Sequence, residues 1–233
     1  MSLQRRLCPE RLDLMASTDP LAIQARADLR RINSIMSSRS IFLRAVRDAI
    51  PAPRRIAELG AGDGTLMLSA AQALAPIWPD VEVTLVDRQH AVGPQTLAGF
   101  EKIGWHPQVA TMDVHHWLAQ AAQEHYDLIY CNLFIHHFTD QQLAGLLKGI
   151  AQCSHAFFAC EPRRARLPLI GSHLVFLLGA NEVTREDAVT SVHAGFLDHE
   201  LSTLWSSVNA GWQIREYSAG LFSHCFLALR QDS

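Results

Sequence analysis

The sequence predicts an α/β fold: a doubly wound, mostly parallel sheet of seven strands with helices around it and an antiparallel final strand. Three observations support this prediction. Short runs rich in Val and Ile alternate with longer helical stretches in the second part of the chain. A glycine-rich loop follows the first of these runs, and the last two runs are close enough to form a hairpin. With 233 residues, the chain suits one domain with an elaboration.

The N-terminal part of the chain predicts helices that precede the sheet. Asp19 can cap a helix, Pro20 suits its first turn, and apolar residues then recur at helical spacing. Pro51 ends this helical pattern. The chain therefore divides into an N-terminal helical segment over residues 1–53, expected to act as a cap or lid, and an α/β domain over residues 54–233.

The order of elements follows from the length and the periodicity of the apolar runs. Strands are predicted near residues 55–59, 82–87, 108–112, 127–132, 156–160, 212–217 and 222–229. Helices are predicted near residues 19–36, 41–50, 65–74, 94–103, 116–123 and 141–154. The stretch at about 165–205 begins with residues more apolar than an exposed helix requires, and it predicts an inserted helical cap.

Composition disfavours several classes of partner. The 20 basic and 23 acidic residues give a formal net charge of -3, so no global charge favours a nucleic acid as partner. Five cysteines without a C-x-x-C pair indicate reduced thiols. Neither a signal peptide nor a run of roughly 20 apolar residues is visible, so we expect a cytoplasmic protein with no membrane span.

The stretch IAELGAGDGT, residues 56–65, places glycines at 60, 62 and 64. A dinucleotide-binding loop needs its third glycine one position later, where the chain has Thr65, and this disfavours a dinucleotide dehydrogenase. Glycine allows positive φ and lets a ligand approach the main chain. Glu58 adds a negative charge beside the loop, which favours a ligand with a cationic end over a pyrophosphate.

Two further carboxylates extend this pattern. Asp87 ends the second strand, where an acid can accept hydrogen bonds from both hydroxyls of a ribose. Asp113 follows the third strand and can accept a hydrogen bond from the exocyclic amine of adenine, although it could instead cap the next helix. A cationic amino acid, a ribose and an adenine together describe S-adenosylmethionine.

Four motifs in this order resemble those of class I S-adenosylmethionine-dependent methyltransferases, which have a Rossmann-like sheet. They are ELGAGDGT, LVD, a strand-end Asp113 and YDLIYCNLFIHHF. The resemblance spans roughly residues 54–162. The double histidine and the later EVTREDAVTSVHAGF are similar to bacterial methylases of small molecules such as quinone or polyketide-type phenols. The resemblance implies a cofactor site formed by Glu58, Gly60, Ala61, Gly62, Asp63, Gly64, Asp87, Arg88, Met112, Asp113, Val114 and Asn132.

The segment NLFIHHF, residues 132–138, follows the fourth strand and should face the transferred methyl group, because parallel sheets bind ligands outside the carboxyl ends of their strands. It lacks the Asn or Asp-Pro-Pro-aromatic tetrad of many DNA and amide N-methylating enzymes. Our hypothesis is that His136 or His137 is the general base that accepts the proton of a phenol. Alternatively, one histidine is packed and the other binds backbone.

Substrate contacts are predicted around this segment. Phe134 lies within it, and Glu161 directly follows the fifth strand, where its carboxylate could hold a polar group of the acceptor or face water. Arg185 and His193 lie in a stretch that we interpret as a substrate lid, although an ordinary amphipathic helix with capping acids explains them equally well.

The histidines do not suggest a metal site. His115-His116 and His136-His137 are adjacent pairs, whose side chains should diverge on a helix or on a strand. No H-x-x-x-H or clustered acid motif accompanies them. We therefore predict no catalytic metal.

The sequence thus predicts an enzyme that moves a methyl group from S-adenosylmethionine to a small, partly apolar molecule, in the first place to a phenol- or quinol-type oxygen. Methylation of a protein or RNA is a second candidate, for which the composition offers little. A module that binds the cofactor or its product S-adenosylhomocysteine without catalysis is a third, because intact cofactor motifs do not distinguish it from an enzyme. Whether the protein forms a homodimer stays open.

Overall fold

The computed structural model describes residues 3–231. Its strands are β1 (Arg55–Leu59), β2 (Glu82–Asp87), β3 (His106–Thr111), β4 (Leu128–Asn132), β5 (Ala156–Pro162), β6 (Trp212–Ala219) and β7 (Ser223–Arg230). Its helices are α1 (Arg11–Leu14), α2 (Pro20–Ile35), α3 (Ser38–Val46), α4 (Thr65–Leu74), α5 (Pro94–Lys102), α6 (Val114–Ala121), α7 (Asp140–Cys153), α8 (Arg166–His173), α9 (Glu182–Ala194) and α10 (Glu200–Val208). Single 3₁₀ turns cover Ile135–His137 and Val175–Leu178.

The strands form one sheet in the order β3-β2-β1-β4-β5-β7-β6. Neighbouring strands from β3 to β5 pair in parallel, whereas β7 is antiparallel to both β5 and β6. The predicted reversed final strand is therefore confirmed. It lies inside the sheet, between β5 and β6, because the chain makes β6 at the edge first and then returns through a hairpin.

Helices cover both faces of the sheet, and the central strands β4 and β5 are buried along their whole length. On one face, α6, α7 and α10 enclose a core in which Trp205 stacks on Phe157 with ring centroids 5.7 Å apart. On the other face, α3, α4 and α5 enclose a second core, where the rings of Phe42 and Tyr130 lie 4.3 Å apart. This packing fixes the strand ends that carry the site.

Most element bounds agree with the sequence patterns. The strands β1 and β2 and the helix α4 have the predicted bounds. The helix α6 begins earlier than predicted, at Val114, because the Asp113 carboxylate accepts the N–H of His115 and caps the helix. Its first turn is set by this cap rather than by the apolar pattern.

The stretch predicted as one inserted cap consists of two parts. The helices α8 and α9 pack on each other, α9 also packs on α2, and the two helices form a cap. The helix α10 instead packs on the sheet, because Leu201 and Trp205 are buried in the core with Phe157 and Phe226. An apolar helical face is the same signal in both cases, so the pattern alone did not separate them.

The segment before α2 crosses the same side of the molecule as the cap. The backbone N–H groups of Arg11 and Leu12 donate to the Asp187 carboxylate of α9 at 2.8 and 3.0 Å. The N–H of Arg6 donates to the carbonyl of His193 at 3.0 Å. In the described part of the chain, no helix is both long enough and apolar enough to cross a membrane.

Candidate active site

A cavity of about 630 Å³ lies at the carboxyl edge of the sheet. Residues that follow β1, β2, β3 and β4 form one side of it, and α2 and the segment before it form the other. The predicted cofactor residues that line it are Glu58, Gly60, Ala61, Gly62, Asp63, Asp87, Arg88, Met112, Asp113, Val114 and Asn132. Parallel packing thus brings the ends of four strands to one cavity.

The glycine loop lies in the left-handed region of backbone space. Gly60, Gly62 and Gly64 have φ values of 69°, 56° and 70°. A Cβ atom on Gly60 would lie 2.3 Å from the ring of Phe134, so the loop can lie against the β4 segment only with glycine there. Gly64, also predicted as a cofactor residue, precedes α4 and does not line the cavity, so it would shape the loop through its conformation.

Glu58 presents an unsatisfied acceptor to the cavity. Its side chain is 3% exposed, and Oε2 has no hydrogen-bond partner among residues 3–231; the same holds for Oδ1 of Asn132. Burial, and then the charges of Asp63 and Asp87, raise the pKa of Glu58 well above its usual range. A ligand ammonium group would satisfy this carboxylate and favour its ionised form. The pair of free acceptors therefore fits the amino-acid end of S-adenosylmethionine.

The other acids of the cavity already hold the loop in place. Asp87 accepts hydrogen bonds from the N–H groups of Gly62 and Gln89, both at 2.8 Å. Arg30 of α2 binds Asp63 at 2.5 Å and so ties the covering helix to the glycine loop. A carboxylate has about four acceptor positions, so Asp87 retains capacity for ribose hydroxyls.

His136 lies in the turn after β4 and is buried, with 1% of its surface exposed. Its Nδ1 is 2.6 Å from Oε2 of Glu161, and its Nε2 is 3.3 Å from Oε1 of Glu10. Burial lowers the pKa of this imidazole, but the hydrogen bonds and charges of the two carboxyl groups outweigh burial and raise it to about 9. His136 is therefore an imidazolium at neutral pH, with both ring nitrogens occupied.

His137 has the opposite character. Its side chain is 21% exposed and lines the cavity, and its Nδ1 is 3.6 Å from Oδ2 of Asp13. Burial, and then the positive charge of His136, lower the pKa of His137. The imidazole of His137 is therefore neutral at neutral pH and can accept a proton.

Residues 56–155 match the family of methyltransferase domains. The predicted fold is confirmed, and the match supports the predicted methyltransferase activity. Among proteins of curated function, none matches the chain in sequence.

Several solved structures share the fold of this chain. The plantazolicin methyltransferase BpumL with S-adenosylhomocysteine has a TM-score of 0.64 at 12% identity, covering 92% of this chain and 93% of that one. An assigned O-methyltransferase of Nostoc punctiforme has a TM-score of 0.58 at 13% identity and 89% coverage of this chain. The mitomycin 7-O-methyltransferase MmcR has a TM-score of 0.60 at 13% identity and 95% coverage. The chain spans 60% of the length of each of these last two proteins.

The adjacent histidines His136 and His137 do not diverge as predicted, since their ring centroids are 4.2 Å apart. The 3₁₀ turn directs both rings toward the N-terminal segment, where Glu10 and Asp13 lie. Single side-chain atoms of Glu10, His136 and His137 lie within 4.8 Å of one another, a spacing that could hold an ion. Because the imidazolium of His136 already contacts both Glu10 and Glu161, we interpret the group as an ion-pair network, and the absence of a catalytic metal stays a prediction.

Of the predicted substrate residues, Phe134 lines the cavity, whereas Glu161, Arg185 and His193 do not. Glu161 is fully buried behind His136, and its oxygens accept from that ring and from the N–H groups of Phe134 and Ile135, so its carboxylate positions the histidine turn. Arg185 lies on the exposed face of α9, 5.8 Å from the ring of Phe176. The helix α9 presents Ser191 to the cavity instead.

The N-terminal segment supplies groups that the sequence did not reveal. Glu10 faces a histidine 126 residues later in the chain, and Asn33 of α2 accepts a hydrogen bond from Asn132 at 3.0 Å. Arg5 donates to the carbonyls of His136 and Phe138 and so fastens the segment to the histidine turn. The one available signal was the spacing of Glu10 and Asp13, which places two acids on one face of a helical turn.

Proposed function

We propose that the protein transfers a methyl group from S-adenosylmethionine to the hydroxyl oxygen of a small, partly apolar phenol or quinol. Three similar structures support a small-molecule acceptor, since their names describe plantazolicin methylation, O-methylation and mitomycin 7-O-methylation. The observation that carries the choice of oxygen is His137, a neutral imidazole on the cavity wall beside the end of β4. A phenol must lose a proton as its oxygen is methylated, and an imidazole is suited to accept it.

Between the two histidines, His137 is the proposed general base. His136 holds a proton at neutral pH and has both ring nitrogens in contact with carboxyl groups, so it cannot accept another. The Nδ1 of His137 faces Asp13, which favours a proton on that nitrogen and leaves Nε2 as the acceptor. His136 and Glu161 then act as positioning residues for the turn that carries His137.

When bound, S-adenosylmethionine supplies a methyl group on a positively charged sulfur. Glu58 and Asn132 would hold its amino-acid end, and Asp87 would accept hydrogen bonds from its ribose. The protein has to align the acceptor oxygen with the methyl group, remove the phenolic proton and exclude water. The acceptor proton moves to Nε2 of His137 and returns to solvent after the product leaves.

The replacement H137Q tests this assignment. General-base catalysis contributes about 10²- to 10⁴-fold, so kcat should fall by that factor on a phenol that the wild type methylates. Binding of S-adenosylhomocysteine, measured by calorimetry, should stay unchanged. The matched control is H116Q, because His116 is exposed on α6 and does not line the cavity.

If the kcat of H137Q stays within a fewfold of that of the wild type at every pH, His137 is not the general base. A panel of phenols and quinols, incubated with labelled S-adenosylmethionine and analysed by mass spectrometry, tests the reaction itself. Tight cofactor binding with no labelled product from any acceptor would favour the non-catalytic module.

A further inference from the structure

A second cavity of about 300 Å³ adjoins the cofactor cavity. Both cavities are lined by Glu10, Leu12, Leu29, Leu133 and Ser191. The second cavity continues from this shared wall between α2, α8, the 3₁₀ turn Val175–Leu178 and α9. An acceptor that reaches His137 therefore has one further space to occupy, and we call it the cap chamber.

The walls of the cap chamber are mainly aliphatic, with Ile32, Met36 and Val175 among the lining residues. Its few polar side chains are engaged within the protein. The hydroxyl of Ser172 donates to the carbonyl of Leu169, and the hydroxyl of Thr184 donates to Asp28. Asp187 accepts two backbone N–H groups. These polar side chains are thus already hydrogen-bonded within the protein, and the aliphatic remainder of the wall favours a hydrocarbon.

Polar groups of the cofactor cavity meet the chamber at the shared wall. Glu10 lies in the shared wall and contacts His136 and Ser191, whose hydroxyl donates to it. His137 lies on the cofactor side of that wall. A ligand that fills both spaces therefore needs a polar head at this wall and an apolar remainder in the chamber.

The opposite end of the chamber reaches the surface through exposed apolar side chains. Ile35, Leu174, Leu177 and Leu178 line the chamber and are exposed, with Leu177 69% exposed. An alkyl chain longer than the chamber could continue along this rim. A rigid compact acceptor would leave the rim uncovered.

The size of the chamber sets the length of the apolar part. A methylene group occupies about the volume of a water molecule, roughly 30 Å³. A chamber of about 300 Å³ therefore holds roughly ten methylene groups.

We propose that the acceptor is a phenol with a linear alkyl chain, whose hydroxyl lies beside Glu10 and His137 and whose chain fills the cap chamber. This inference rests on the proposed function for the identity of the head group. The alkyl chain of the acceptor is inferred from the size and the lining of the cap chamber alone. The proposal thus narrows the acceptor from a partly apolar small molecule to an amphiphile.

The test measures binding of 4-alkylphenols, from 4-methylphenol to 4-dodecylphenol, to the full-length protein saturated with S-adenosylhomocysteine. Calorimetry below the aggregation concentration of each phenol gives Kd without any turnover. Burial of one methylene corresponds to about a fourfold gain in affinity, so Kd should fall by about that factor per carbon and level off near a chain of roughly ten carbons. A Kd that stays within twofold from methyl to octyl would overturn the proposal.

A variant with a filled chamber locates the effect. Ala188 of α9 lines the chamber, so A188F should remove the dependence on chain length and leave the affinity for 4-methylphenol unchanged. The matched control is T190F on the same helix, because Thr190 lines neither cavity. An unchanged chain-length dependence in a folded A188F protein would place the chain elsewhere and overturn the proposal; if A188F does not fold, the wild-type series alone still decides.

Methylation of the same phenols separates this inference from the proposed function. Chain-length-dependent binding without any methylated product would support the chamber as a chain site and refute the O-methylation of phenols. Methylation of short phenols, together with a Kd that does not change with chain length, would support O-methylation of phenols and refute the cap chamber as a site for an alkyl chain.

Discussion

Replacing Glu58 with Gln is expected to weaken cofactor binding and, at the same time, to stabilise the empty protein at alkaline pH. Glu58 is buried at the cavity wall with one oxygen unpartnered among the described residues. Burial and the neighbouring Asp63 and Asp87 raise its pKa, so the empty protein carries an ionisable group in a place that disfavours its charge. An ammonium group of the ligand would reverse that penalty.

The effect on binding follows from the loss of one charge-assisted hydrogen bond. Such a bond contributes about 1.5–3 kcal/mol, so E58Q should bind S-adenosylhomocysteine about 10- to 100-fold more weakly at pH 8.5. Wild-type affinity should rise with pH as the Glu58 carboxyl group loses its proton, because the ionised form binds the ammonium group. The affinity of E58Q should not follow this rise.

The effect on stability has the opposite sign. The pKa of Glu58 is higher in the folded than in the unfolded protein, so folding is favoured at low pH and is progressively penalised as pH rises through the folded pKa. Each pKa unit corresponds to about 1.4 kcal/mol, and 1 kcal/mol to about 2–4 °C in Tm for a chain of this size. The empty E58Q protein should therefore match wild type near pH 4 and exceed its Tm at pH 8.

Calorimetric titration at pH 6.5 and 8.5, together with thermal unfolding of the empty protein, measures both effects. E101Q is the control, because Glu101 is exposed on α5 and does not line the cavity. If E58Q binds within about threefold of wild type and with the same pH dependence, Glu58 does not hold the ammonium group.

Two further outcomes follow from the histidine network. The pKa of His136 is raised from 6.5 to about 9, so His136 should contribute about 3 kcal/mol to the free energy of unfolding below pH 6.5 and lose it as pH rises through 9. In urea unfolding, the free energy of unfolding of E58Q should fall as pH rises through 9, whereas that of E58Q/H136Q should not. An equal dependence on pH in the two variants would contradict the raised pKa of His136. Because His136 binds carboxyl groups on both sides, we also expect full methyl transfer after removal of metals with EDTA. If EDTA abolishes activity and only added Zn²⁺ or Mg²⁺ restores it, the prediction of no catalytic metal is refuted.

The sheet could be predicted because its signals are local. Each strand is a short apolar run, and the glycines at 60, 62 and 64 and the acids at 58, 87 and 113 all lie at strand ends. A parallel sheet places such ends at one edge, so knowledge of the strands was enough to predict that these residues meet there, and all of them except Gly64 line one cavity. The residues at this edge of the sheet are the ones that predict the cofactor.

The histidine network could not be predicted in the same way. His136 and His137 are adjacent, yet one is a buried imidazolium and the other a partly exposed neutral imidazole. The difference depends on Glu161 from β5 and on Glu10 from a segment that precedes the helices of the cap. No local pattern carries that information, because pKa depends on burial and on charges that only the folded chain brings together.

The sequence by itself determined the order of the strands along the chain and the reversed final strand, and it predicted the methyl donor, because alternation of apolar runs and strand-end chemistry are local properties. Only the tertiary structure decided that α10 belongs to the core while α8 and α9 form the cap, since both stretches are apolar helices. It likewise decided the different surroundings of His136 and His137 and the lining of the cap chamber. Both depend on packing between segments far apart in the chain, and the free energy of burying a charge or a methylene is set there.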